Sequence, residues 1–107
     1  MGKPWTHNPN ATNTEAVITI PASPNCALEL EQLSFSYDGT PSAAKLLTVE
    51  SPSGTVLAQW WVTNGGPGPI DLGKSGIKGA VGQDMIVRLP ADASLKGIVN
   101  AIQRVGS

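Results

Sequence analysis

Between Cys26 and Tyr37 the chain alternates apolar and polar residues, and halfway along it changes step. Cys26, Leu28 and Leu30 are set against Ala27, Glu29 and Glu31; then Leu33, Phe35 and Tyr37 are set against Gln32, Ser34 and Ser36. Neighbouring side chains on a strand point to opposite faces, so an unbroken strand would leave half of these apolar groups in water. Either a β-bulge near Gln32 restores the phase, or the strand bends from one sheet of a sandwich into the other. Both solutions belong to an all-β protein.

The flanking segments agree. Val17 to Ile20 is a short β-branched run closed by Pro21 and Ser23-Pro24-Asn25, and Asp38-Gly39-Thr40-Pro41 is a strong turn. Lys45 to Glu50 and Thr55 to Thr63 read as a hairpin across Ser51-Pro52-Ser53-Gly54. Asn64-Gly65-Gly66-Pro67-Gly68-Pro69 breaks the chain, Ile70 to Leu72 reads as a short strand, and Gly73 to Gly82 as mostly loop. Asp84 to Leu89 alternates again, and Lys96 to Val105 closes the chain. A helix over Ala93 to Arg104 is opposed by Gly97, Val99 and Asn100. Residues 1–15 are polar and turn-rich without either period, and read as an extended N-terminal arm ahead of a 16–107 domain. The expected fold is a jelly-roll-like β-sandwich of seven to eight short antiparallel strands carrying that arm.

Composition narrows the function. The chain has 107 residues, the length of one domain. Seven basic and eight acidic residues leave a net charge of −1, without the basic excess of a nucleic-acid-binding surface. No apolar run approaches the ~20 residues that span a bilayer, and the Met1-Gly2-Lys3-Pro4 start lacks the apolar core of a signal peptide. The single Cys26 has no internal disulfide partner. The expectation is no nucleic acid and no membrane among the partners.

Motifs for catalysis are weak. Gly68 to Ser75 matches the P-loop pattern G-x-x-x-x-G-K-S, but Gly76, Gly79 and Gly82 oppose the helix that must follow it. His7 is the sole histidine and lies in the arm, and Cys26 shares a strand face with Leu28 and Leu30. No serine has a base nearby, and one His, one Cys and scattered carboxylates give no metal-ligand spacing. Glu29 and Glu31, two apart on one strand, could do acid–base work, but as the polar face of a half-buried strand they need no function. Asn10-Ala11-Thr12 fits the glycosylation sequon without a secretory signal to accompany it. No catalytic, cofactor-binding or metal-ligating residue is expected, and the chain is read as a non-enzyme.

The tryptophans carry the functional expectation. Trp5 is the one large apolar group of the arm, either an anchor for a neighbouring subunit or folded back onto its own domain. Trp60 and Trp61 must point to opposite faces. With Val56, Ala58, Trp60 and Val62 inward, Leu57 and Trp61 face outward. That pair suits a subunit interface or, for Trp61, a stacking platform for a sugar ring, for which Gln59 is the polar neighbour on the same strand face. Trp5, His7, Leu57 and Trp61 are the expected partner-contacting residues.

The run Ser34-Phe35-Ser36-Tyr37-Asp38-Gly39-Thr40-Pro41, with Leu46-Leu47-Thr48-Val49, Gly54-Thr55-Val56-Leu57 and Gly65-Gly66-Pro67-Gly68-Pro69-Ile70, resembles small jelly-roll decoration or cement proteins of tailed-bacteriophage capsids. The similarity covers residues 16–105 and consists of turn chemistry and strand pattern. The arm and Trp60-Trp61 fall outside it. The resemblance implies a structural virion protein, made in the host cytoplasm. It would sit as a homo-oligomer, expected to be a trimer, on the outer capsid surface and stabilise contacts between major capsid proteins. The alternative is a phage tail-fibre or baseplate β-module that binds host glycans.

Overall fold

The computed structural model describes residues 3–63, 70–71 and 76–106, and for Ile70, Asp71, Val105 and Gly106 the backbone alone. The described residues form nine strands and no helix. They are β1 (Lys3–His7), β2 (Ala16–Ile20), β3 (Ala27–Tyr37), β4 (Lys45–Glu50), β5 (Val56–Val62), β6 (Ile70–Asp71), β7 (Ile77–Lys78), β8 (Met85–Leu89) and β9 (Gly97–Gly106). One sheet has the order β1-β9-β3-β6, with β7 also paired to β3; the other has the order β2-β8-β4-β5. The pairings are antiparallel throughout. The protein is an all-β sandwich.

The phase change in β3 is a bulge. Leu30 pairs with Gln103 and Gln32 with Ile102, so Glu31 is the extra residue. The bulge lets Leu28, Leu30, Leu33, Phe35 and Tyr37 all enter the core. From the facing sheet come Ile18, Ile20, Leu47, Val49, Val62, Met85, Val87 and Leu89. Burying such side chains contributes about 1.5–3 kcal/mol each, which fixes the register of both sheets.

The first strand was not expected. Residues 3–7 of the arm pair along β9, Lys3 with Gln103 through His7 with Val99. The sequence hides this because Lys-Pro-Trp-Thr-His has no apolar alternation; its partner lies at the far end of the chain. β7 likewise arises within a segment expected to be mostly loop. Among the described residues no helix is long and apolar enough to cross a membrane.

Candidate functional site

The second sheet ends at β5, whose inner face carries Ala58, Trp60 and Val62. Trp60 packs against the core, its ring centroid 6.4 Å from that of Phe35 at an interplanar angle of 41°. Trp61 therefore points outward and is 67% exposed. Its cross-strand neighbour is Leu46, and one step along the same face Gln59 sits opposite Thr48.

Near its start β5 departs from the expected alternation. Val49 pairs with Ala58 but Glu50 pairs with Val56, leaving Leu57 as an extra residue. Val56, expected to face inward, is thus turned to the outer side. Val56 and Leu57 are exposed along with Trp61. Three large apolar side chains stand on one edge strand, two of them foreseen from the sequence.

A polar cluster borders this apolar group on the same outer face. Thr48 Oγ1 donates to Glu50 Oε2 at 2.8 Å, the Gly54 N–H donates to Glu50 Oε1 at 2.8 Å, and Arg88 Nε donates to Glu50 Oε2 at 3.2 Å. Arg88 Nη1 also donates to Glu15 Oε1 at 3.2 Å. The Gly54 N–H is the largest influence on Glu50; with Thr48 and Arg88 it overcomes burial and holds the carboxyl below the usual glutamate range. Burial opposes the Arg88 charge, but Glu50 and Glu15 together outweigh it and raise the guanidinium above its ordinary value. Gly54 has φ 94°, so the turn that aims its N–H at Glu50 favours glycine. A carboxylate held ionised and supplied with donors on both oxygens is a positioning group, unlike a general acid, whose value must rise. The Thr48 hydroxyl proton is committed to Glu50, so its oxygen is left as an acceptor toward the open face.

Trp5 and His7 are engaged within the chain. Trp5 Nε1 donates to Gln103 Oε1 at 2.9 Å, its ring packs against the core, and Lys3 Nζ lies 4.7 Å from the ring centroid. Of the two readings for this indole, the structure shows the one folded onto its own domain. His7 Nδ1 accepts the Val17 N–H at 3.0 Å, linking β1 to the edge of the opposite sheet. Glu29 is paired with Arg104, Oε1 to Nε at 3.0 Å, and Glu31 is the bulge residue, so the two carboxylates do not act as a pair. Cys26 is half-buried and free. The P-loop-like segment lies outside the described residues except for the backbone of Ile70 and Asp71, and Ile77–Lys78 just beyond it is strand. Among the described residues no group of three or more His, Cys, Asp or Glu could hold a metal.

The outer face of the first sheet carries a groove of about 360 Å³ lined by Pro4, Thr6, Gln32, Ser34, Asn100 and Ile102, among others. Thr6 Oγ1 donates to Asn100 Oδ1 at 2.6 Å, and Asn100 Nδ2 donates to Ser34 Oγ at 3.4 Å. Sequence reasoning missed this ladder because Thr6 reaches it only through the unforeseen strand β1. The polar alternation of Gln32 and Ser34 was its one visible sign.

No family model matches the chain, and no curated protein does. Among solved structures the chain is similar to the CBM36-1 domain of a multidomain xylanase from the hindgut metagenome of Trinervitermes trinervoides. The TM-score is 0.47 and the identity 8%, with 98% of each chain covered. The likeness is one of β-sandwich architecture. That structure is a xylanase domain and not a virion subunit, so the expected capsid-decoration role is set aside, and of the resemblance to phage cement proteins only the β-sandwich remains.

Proposed function

We propose that this domain is a non-catalytic carbohydrate-binding β-module whose platform is the outer face of β4 and β5 at Trp61. The observation that carries the reading is the exposure of Trp61, 67%, on a strand held in register with Leu46 opposite. An indole offers a flat apolar surface that costs little conformational entropy to order. The apolar C–H face of a sugar ring covers such a surface, and its hydroxyls need donors and acceptors at the rim. Gln59 and Thr48, side by side one step along the face, supply an amide and a hydroxyl oxygen. Both are uncharged, which favours a neutral sugar over an acidic one.

Covering roughly 60–80 Å² of indole at ~25 cal/mol per Å² contributes about 1.5–2 kcal/mol. Removing the ring therefore lowers affinity by at least tenfold. An array of neutral oligosaccharides, followed by calorimetry on the best binder, tests this. Binding that falls tenfold or more in Trp61→Ala, and less in Trp61→Phe, supports the reading. An array without signal, or a Trp61→Ala variant that binds as well as the parent, refutes it.

A further inference from the structure

Each sheet of an open sandwich ends in strands whose outer N–H and C=O groups are a template for another chain, and proteins normally guard them. Three of the four ends here are guarded. β1 carries the charge of Lys3 and the missing N–H of Pro4. On β2 the Val17 N–H is taken by His7 Nδ1. β6 and β7 are two residues each, too short to template a partner. β5 is different: its seven residues Val56–Val62 contain no charged side chain and no proline, and from Ala58 to Val62 its register is regular. Among the described residues no strand lies beyond it.

From this contrast we infer that β5 pairs with β5 of a second copy of this chain, antiparallel about a two-fold axis at Gln59. The sequence of the strand is self-complementary in that register. On the outer side Trp61 meets Leu57 of the second copy. On the inner side Ala58 meets Trp60, a small residue against a large one. Beyond these pairs the bulge turns Val56 outward while Val62 stays inside, so the matched stretch runs from Leu57 to Trp61. On the axis, where a residue meets its own copy, stands an amide, which can both donate and accept; a charged residue there would repel itself. The pairing joins two four-stranded sheets into one eight-stranded sheet and sets the exposed Leu57 and Trp61 of the two copies side by side. Because the same edge is used by both copies, the assembly closes at two. The inference stands apart from the glycan reading, since among the described residues no strand, charge or proline guards the regular part of this edge, whether or not Trp61 meets a sugar.

Sedimentation equilibrium from micromolar to millimolar protein, without sugar, tests it. The mass should rise from the 11.1 kDa monomer toward twice that value as concentration increases. Gln59→Lys, which sets two like charges on the axis, should raise the dimer dissociation constant at least tenfold. Thr19→Lys, on the exposed side of β2, should dimerise like the parent and shows that added charge alone is not responsible. Protein that stays monomeric at millimolar concentration, a trimeric mass, or a Gln59→Lys variant that dimerises like the parent overturns the inference.

Discussion

The two outer faces of the sandwich are built from similar strands and are left in opposite states. On the β1-β9-β3 face the side chains answer one another: Thr6, Asn100 and Ser34 form a hydrogen-bonded ladder, and Glu29 is paired with Arg104. On the β4-β5 face the polar half is equally settled around Glu50, but the apolar half, Val56, Leu57 and Trp61, faces water. A satisfied polar face can stay exposed at little cost. The exposed apolar side chains of β5 are the part of this surface that a ligand or partner would gain most by covering.

The contrast can be broken most severely at the two adjacent tryptophans. Trp60→Ala removes an indole packed on Phe35 and should cost about 3 kcal/mol of unfolding free energy in urea titrations. Trp61→Ala should change stability by less than about 0.5 kcal/mol. Equal losses in the two variants would mean that Trp61 is a packing residue and that the two sides of β5 do not differ.

Glu50 tests whether the polar half of the same face is structural. Glu50→Gln, which weakens the bonds from Gly54, Thr48 and Arg88, should cost about 2 kcal/mol. The sign of its pH dependence follows from its lowered value. The unfolded chain takes up the proton first as pH falls, so the contribution of Glu50 is complete above the usual glutamate value. It is lost as pH descends through the lower folded value. Acid unfolding of the parent should therefore be steeper than that of Glu50→Gln; identical acid profiles would remove Glu50 from the framework.

Tyr37 marks the floor common to both faces. Burial first, and then the nearby Asp92 carboxylate, push its hydroxyl up to about 12. That hydroxyl donates to the Pro90 carbonyl at 2.7 Å. Here the unfolded chain loses the proton first, so the stabilisation is whole below the ordinary tyrosine value and fades as pH rises from there toward 12. Ultraviolet titration of the single tyrosine should show the late ionisation, and Tyr37→Phe should cost about 1 kcal/mol. Ionisation at the ordinary value would show that the β3 end of the core is open.

Much of this arrangement could be read from local pattern. The step change in Cys26–Tyr37 required either a bulge or a bend between sheets, and β3 takes the bulge; the Pro-Gly loop announced the β4-β5 hairpin, and alternation set Trp60 and Trp61 on opposite faces. What escaped depends on partners distant in sequence. β1 is a strand only because β9 offers it an edge. Val56 is outward only because Glu50 pairs one residue early, a choice that no apolar count reveals. Gln59 was visible beside Trp61, whereas Thr48 and the Glu50–Arg88 cluster join that face only through the pairing of β4 with β5 and β8.

The decisive experiment is calorimetric titration of neutral oligosaccharides into three folded proteins: the parent, Trp61→Ala and Asn100→Ala. The open-face reading requires saccharide binding by the parent, a loss of tenfold or more in Trp61→Ala, and affinity within twofold of the parent in Asn100→Ala, roughly the spread expected of an uninvolved surface site. Binding that survives in Trp61→Ala and collapses in Asn100→Ala would move the site to the opposite sheet, and an absence of binding in all three would contradict the carbohydrate reading altogether.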